Sequence, residues 1–449
     1  MTKEKLNIGF ITTVSGRWPR ELPNERRPKY EKWLKERYKD YNFICLDKVV
    51  EDAASLKSAC DKFHEGKVDI IIFLYGAFSG DDYACQLWES LNKPIIFWAL
   101  QEPEVHGTRL LANSLVASTM NSASVKRLGG TTYFVFGNED EEPAYTKLDS
   151  ILSSYSLKKQ MSQVNFGLFG YRPTAFYNSA FNEALIRKTF GIKMEETEIK
   201  EIFDRMACYS EEDEKREIAK IDIPVVDMPS GHLEKHARLY RAMKEIYDEA
   251  GYDYAVIKCW PEMGNELNRA VPCAVLGRLA DEGRYIGCEG DVEAGLAYAA
   301  ENLLTGLPCF VSDLININEK ENYLTFWHCG NASPSLMDKT QYSPSLSDHP
   351  LKNNGTAFRC VLKKGDVTFA RFCDINGKFV LFVGNGTAVD TDLYTPGCMV
   401  NVKTNKNVRA IIEDAIDNGV AHHYALVWSD VKDKLISYAK LLGLEVIEE

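Results

Sequence analysis

Apolar positions along the chain fall into short runs, separated by stretches in which they return every three or four residues. LNIGFITTV (6–14), YNFICLD, VDIIIFLYG, KPIIFWAL and TTYFVFGN have strand length and are rich in Ile, Val, Phe and Tyr. Helix-period stretches lie between them, at 28–39 and near 51–65, 83–91 and 107–127. Such alternation predicts a parallel sheet with helices on both faces. The helix containing Tyr145–Leu157 closes this first α/β domain, 1–160.

The pattern then restarts. VNFGLFGYR reads as a strand, NSAFNEALIRKTFG as a helix stopped by Gly191, and IKMEETEI as an extended segment. HLEKHARLYRAMKEIYDEAG is a long helix with a glycine where a left-handed C-terminal cap is expected. YDYAVIKCWPEM, RAVPCAVLGRLADEG, YIGCEG, VEAGLAYAAENLLTG and PCFVSDL continue the alternation, giving a central α/β domain over 161–325. From 326 to 449 the texture changes. FRCVLKKGDVTFARFCDINGKFVLFVGNGTAV is strand-rich with KGD and NGK turns, which predicts an antiparallel, barrel-like C-terminal domain. The fold class is thus α/β: two Rossmann-like parallel domains followed by a β-rich one. The polar stretch 331–356 is long enough to be a binding loop.

The chain has 449 residues, 45% hydrophobic and 26% charged, an ordinary globular composition too long for one core. A net charge of −12 disfavours nucleic acid and anionic membrane as partners. No apolar run approaches the ~20 residues that span a bilayer, and the N-terminus lacks a signal-peptide pattern. A cytoplasmic protein is expected. Its 12 cysteines show no C-x-x-C spacing and read as buried small hydrophobes rather than disulfides.

Candidate chemistry starts with acids. Ligands of a parallel sheet bind beyond the carboxyl ends of its strands. Three successive runs of the central domain end in one: Glu262 after VIKCWP, Glu289 after YIGC and Asp313 after CFVS. Clustered carboxylates need a cation, a held proton or water. With imidazole they suit Mn²⁺ or another divalent ion such as Mg²⁺ or Co²⁺. The alternative is that they are helix caps or solvated acids, and Asp291, just before VEAGLAYAAENLL, fits a cap well. Of 8 histidines, His64, His232 and His236 sit in charged helical surroundings and read as surface residues. His106 and His349 lie in loops. His328 ends TFWH, and His422 and His423 open HHYALV; alternation lets only one of that pair face a given site. P-loop, H-E-x-x-H, G-x-S-x-G and dinucleotide fingerprints are absent. Arg17 and Arg20, in SGRWPRELPNE, either hold an anion or sugar hydroxyls or are solvated loop arginines. Tyr75, Phe78, Trp98, Trp260 and Trp327 lie near strand ends, to stack on a sugar or to pack in the core. Gln101 is placed to bond hydroxyls.

With these residues in view, the chain resembles the L-fucose isomerase and L-arabinose isomerase superfamily over most of its length. The resemblance is strongest in CEGDVEAGL…LTGLPCFVSDL, in WHCG and in AHHYALV. It implies Glu289, Asp313 and His423 as ligands of a divalent ion, with His328 as a possible additional one. SGRWPREL resembles the family's N-terminal D-G-R loop, which reaches the sugar at a site shared between subunits and so favours Arg17. The resemblance also implies a trimer-based hexamer or related homo-oligomer with sites at subunit interfaces. The implied activity is aldose–ketose isomerisation of an open-chain sugar through a cis-enediol, with Glu289 and Asp313 as acid and base. A sulfoquinovose isomerase is a variant within the family; its sulfonate would need a cationic pocket, to which Arg17, Arg20 or Arg172 would contribute. A non-catalytic cytoplasmic sugar-binding or regulatory protein is the alternative from another class.

Overall fold

The structure is a computed structural model and describes residues 4–104, 109–264, 270–351 and 354–449; His106 lies outside them. The chain forms two units, Met1–Lys159 and Gln160–Glu449. In the first, β1 (Asn7–Thr13), β2 (Asn42–Cys45), β3 (Ile70–Tyr75), β4 (Ile95–Ala99) and β5 (Thr132–Phe136) form a parallel sheet in the order β2-β1-β3-β4-β5. β3 and β4 are buried at every position, as their uninterrupted apolar runs require. The first helix spans Glu21–Arg37, starting seven residues before the expected 28. Pro28 imitates a helix start because it lacks an N–H, yet it sits inside this helix. The fourth helix spans Ser114–Arg127, shorter than the expected 107–127. Its entry is held by Glu102, whose carboxylate accepts from the N–H groups of Leu111, Ala112 and Asn113 at 2.7, 2.9 and 2.6 Å.

The second unit opens with β6 (Asn165–Phe169), β7 (Lys193–Thr197), β8 (Tyr254–Ile257) and β9 (Tyr285–Gly287), a parallel sheet in the order β7-β6-β8-β9. Gly191 and Gly251 take left-handed caps at φ 78° and 66°. Two helices escape the periodicity argument, Ile199–Met206 and Glu211–Ile218. The second, EEDEKREI, has almost no apolar face and starts on a Ser210–Asp213 capping box.

The remaining strands are β10 (Phe310–Asn318), β11 (Tyr323–His328), β12 (Ser345–Asp348), β13 (Thr356–Val361), β14 (Gly365–Ile375), β15 (Lys378–Val389), β16 (Cys398–Thr404), β17 (His423–Val427) and β18 (Glu445–Glu448). The order β16-β11-β10-β17-β14-β15 closes through a β15–β16 pairing into a six-stranded barrel. Asn376 and Gly377, at φ 55° and 78°, make the two-residue turn between β14 and β15.

Two expectations change here. PCFVSDL is not a strand of the parallel sheet: β10 runs antiparallel to β11 and β17, so Asp313 lies within a barrel strand. Its apolar opening, PCFV, imitates a short buried parallel strand. His236 is buried, not at the surface, because its helix, His232–Ala250, packs on β13. Its Nδ1 is 2.6 Å from Thr356 Oγ1 and its Nε2 accepts from Arg278 at 2.9 Å. Burial, then Arg278, pushes its pKa down to about 3.

The helix Val292–Thr305 packs on β8 and β9 and also on β14 and β17. Its small residues permit this; a Cβ on Gly295 would lie 2.8 Å from the Phe166 ring. The helix therefore joins the parallel sheet to the barrel, and its N-terminus sits where both supply polar side chains. No described helix is long and apolar enough to cross a membrane.

Candidate active site

Glu289 and Gly290 turn the chain from β9 into this helix with φ of 57° and 64°. The left-handed region costs a glutamate about 1 kcal/mol or more. The turn is tight because the segment after β6 passes close: a Cβ on Gly290 would lie 2.1 Å from Tyr171 O. Gly290 N–H donates to Ile257 O at 2.9 Å, which ties the turn to β8. One residue on, Asp291 caps the helix, accepting from Ala294 N–H at 3.1 Å.

In the barrel, Asp313 of β10 stands opposite His423 of β17. His423 Nε2 lies 3.4 Å from Asp313 Oδ1 and 3.6 Å from Glu289 Oε2. Each acid keeps an oxygen in play. Glu289 Oε1 accepts from Trp260 Nε1 at 3.2 Å, leaving Oε2 toward the imidazoles. His328, at the end of β11, is buried, and its ring lies 5.5 Å from that of His423. His422 also arrives: its Nε2 is 3.8 Å from Asp313 Oδ1 and 3.9 Å from Glu289 Oε2. Strand alternation does not exclude it, because β17 begins only at His423.

Hydrogen bonds orient these rings differently. His423 Nδ1 lies 2.9 Å from Asp291 Oδ2, and an ionised carboxylate only accepts, so Nδ1 carries the proton and Nε2 offers a lone pair. Asp291 is itself gripped by Arg371 at 2.7 and 3.1 Å, and Arg371 also donates to His423 O at 3.0 Å. In His328 the Cys329 N–H donates to Nδ1 at 2.8 Å, so the neutral ring presents Nε2–H. Asn178 Nδ2 donates to His422 Nδ1 at 3.2 Å, with the same consequence.

Burial alone would raise the Glu289 pKa; His422, His423 and His328 outweigh it and hold the carboxyl below the usual range. For His423, burial opposes the charged ring, but Asp291, Asp313 and Glu289 together raise its pKa. Burial also works against Asp291 ionisation, and Arg371 and His423 still hold it well below the carboxylate range. Acids that raise an imidazole in this way also attract a cation.

The donor set fits a divalent metal. Asp313 Oδ1, His328 Nε2 and His423 Nε2 are buried without a hydrogen-bond partner. Leaving such atoms unsatisfied costs roughly 1–3 kcal/mol each. Ligand atoms of Asp313, His328 and His423 lie within 4.8 Å of one another, as do those of Glu289, His422 and His423. Mixed carboxylate and imidazole donors suit Mn²⁺ and its neighbours. A cavity of about 570 Å³, lined by Phe176, Trp260, Glu289, His328 and His349, adjoins the cluster. A larger one, about 770 Å³, lies beside Tyr240 and Phe358. Two of the cations in its wall are ion-paired, Arg278 with Glu217 and Lys244 with Glu282, at 2.6 and 2.5 Å.

Residues 326–448 match the family described as L-fucose isomerase, C-terminal domain. The chain is 26% identical over 428 residues to a sulfoquinovose isomerase of Priestia aryabhattai, covering 95% of each chain. It is 28% identical to sulfoquinovose isomerases of Alkalicoccus urumqiensis, covering 85% and 86%, and of Clostridium sp. (strain MSTE9), covering 90% of each. The chain is a fucose isomerase-like protein. Among solved structures, a periplasmic solute binding protein from Actinobacillus succinogenes with bound D-allose is 14% identical and covers 67% of this chain and 92% of its own. Its TM-score of 0.17 bears on neither fold nor function.

In this fucose isomerase-like chain the other expected residues are scattered. Arg17, Arg20, Tyr75 and Gln101 belong to the first unit. Arg17 is exposed, its carbonyl accepting from Arg109 at 3.1 Å. Arg20 is ion-paired with Glu51. Gln101 Nε2 donates to the Glu141 carboxylate at 3.2 Å. Tyr75 is corrected: it is fully buried among Phe73 and Phe97 and offers no face to a sugar. Trp98 is likewise core, its Nε1 donating to Gly137 O at 2.9 Å. In the second unit, Glu262 pairs with Lys258 at 2.5 Å, outside the cluster. Trp260 is at the site, while Trp327 stacks beside His328 with its Nε1 on Pro396 O at 2.9 Å. Arg172 lies in the segment that crosses the Glu289–Gly290 turn. Sequence reasoning missed Arg371, Phe176 and Asn178, and it admitted only one of His422 and His423. Arg371 left a signal: an arginine between Ala and Phe in a barrel strand must find a buried acid.

Proposed function

We propose that the cluster binds a divalent cation and that the chain, an aldose–ketose isomerase by family, moves protons between C1 and C2 of an open-chain sulfonated hexose through a cis-enediol. The observation that carries this reading is the convergence of Glu289, Asp313 and His423, from a parallel-sheet turn and two barrel strands, with three buried polar atoms unspent. Glu289, Asp313 and His423 would hold the ion, while His328 and His422, whose Nδ1 atoms accept hydrogen bonds, turn Nε2–H groups toward it. A divalent cation there supplies polarisation of the sugar carbonyl and neutralises the charge that develops on its oxygens.

The protein's own groups do the rest. One of the two carboxylates removes the proton from C2 as general base, and the other exchanges protons with the sugar oxygens. The Nε2–H groups of His422 and His328 are donors for those oxygens. Asp291 and Arg371 keep His423 in the tautomer whose lone pair faces the acids. Sulfonated hexose as substrate is supported by the relatives, all sulfoquinovose isomerases matched along nearly their whole length. In the oligomer that the family resemblance implies, the Arg17 loop of a neighbouring copy would complete the pocket.

The test is isomerisation of 6-deoxy-6-sulfoglucose and a panel of unsulfonated aldoses in deuterated water, after chelator dialysis and again after Mn²⁺ is restored. Metal-dependent ketose formation with solvent deuterium on the exchanging carbon is expected. Turnover of no aldose by the metal-loaded protein would leave a sugar-binding role instead.

A further inference from the structure

A sulfonated substrate brings a permanent negative charge to a site already carrying Glu289 and Asp313, so it needs a cation away from the acids. Among the described residues, two cationic side chains of the second unit are spent on acids. Lys258 pairs with Glu262, and Arg371 is committed to Asp291 and Glu293. Arg172 differs. Its backbone crosses the site, with a Cα that would lie 3.2 Å from a Cβ built on Gly290. The same segment continues over the cluster: Phe176 packs on Trp260 and His422 with ring centroids 5.0 and 5.9 Å apart, and Asn178 bonds His422.

Among the described residues no carboxylate pairs with Arg172. Its Nη1 donates only to Pro173 O, at 3.2 Å, and its Nε is buried with no partner. The guanidinium lies over the rings of Tyr171 and Tyr177, at 5.5 and 5.1 Å, and those rings are exposed. Aromatic faces hold a guanidinium by cation–π attraction while leaving its N–H edge free. A planar guanidinium with donors left over matches the tetrahedral oxygens of a sulfonate as it matches a phosphate.

We propose that Arg172, held over Tyr171 and Tyr177, is the anion-binding residue that selects a sulfonated sugar over its hydroxyl counterpart. This rests on the isomerase reading above and adds to it the residue that sets the substrate class. The position agrees with the chemistry: Arg172 and Asn178 lie on one segment, so one end of a sugar held by Arg172 would leave its other end to His422 and the acids.

The experiment compares the metal-loaded protein and its R172M and R172K variants on 6-deoxy-6-sulfoglucose and on glucose, with thermal melts to show that each variant is folded. R172M should lose about 30-fold in kcat/KM on the sulfonated sugar, mostly through KM, the factor a charge-assisted bidentate contact supplies. Its turnover of glucose should stay within about 3-fold of the parent, where no such contact exists. R172K keeps the charge without the fork and should fall between the two. Equal losses on both sugars, or no loss on either, would overturn the assignment of Arg172. A parent protein that isomerises glucose and not the sulfonated sugar would instead overturn the substrate reading on which it stands.

Discussion

Two buried polar clusters meet at His423, and they are built on opposite principles. On its Nδ1 side, Asp291, Arg371 and Glu293 form a charge-paired network in which the guanidinium is met by carboxylate oxygens at 2.7, 3.1 and 3.4 Å and leaves its Nε unpartnered. On its Nε2 side, Glu289, Asp313 and His328 face one another with donors and acceptors left over. The spent network sets the position and tautomer of a ring in the unspent one. A cluster that satisfied itself would have nothing to offer a ligand, and one with no satisfied neighbour would have no fixed geometry.

Substitutions on the two sides should therefore fail in different ways. Glu289→Gln and Asp313→Asn should each lower kcat by about 10³-fold, the scale of a lost acid or base. Their unfolding midpoints should stay close to that of the parent, because neither acid anchors a buried charge. A variant of either kind with full turnover removes the acid–base assignment. Asp291→Ala does the reverse first: it strands Arg371 in the interior and should cost about 3–5 kcal/mol of stability, read by urea melts. If Asp291→Ala melts like the parent, the network is not the frame described above.

Much of this division was hidden in the chain. The strand–helix alternation, the glycine helix stops and the NGK turn were legible because each depends on residues a few positions apart. The Asp291–Arg371 contact joins residues 80 apart, so Asp291 read only as a helix cap. That reading was correct and incomplete, since Oδ1 caps the helix and Oδ2 holds the imidazole. Glu289 and His423 came into view from strand ends and from family resemblance. Asp313 was placed on the wrong sheet, because an apolar half-strand does not announce its pairing partner. Alternation admitted only one of His422 and His423, and the family resemblance chose His423; that rule holds inside a strand and lapses one residue before it starts.

Glu293 shows how the charge-paired network balances its charge. It faces one guanidinium together with Asp291, and Asp291 takes the ionised role. Burial pushes Glu293 up, against the opposing pull of Arg371 and the Asp374 N–H, to about 7 from an ordinary value of 4.5. A carboxyl raised on folding contributes stability that is complete below about pH 4.5 and is lost as pH rises through about 7. The contribution is about 3 kcal/mol at most. Glu293→Gln should therefore remove a fall in stability across that window, seen as a shrinking gap between parent and variant from pH 5 to pH 8. Parallel curves would mean that Glu293 is ionised in the folded protein.

The smallest effect expected bears most directly on the difference between the clusters. If the Nε2 side is built for a cation, adding Mn²⁺ to chelated protein should stabilise it, by about 2.7 kcal/mol at 100 times the dissociation constant. Asp313→Asn should abolish most of that gain, because it removes an anionic ligand and leaves the fold alone. The response of Glu293→Gln should equal the parent's at pH 8, since that side chain belongs to the charge-paired network on the Nδ1 side. Stabilisation that survives in Asp313→Asn would place the ion elsewhere, and the unspent atoms around His423 would then need a different occupant, such as the sugar itself.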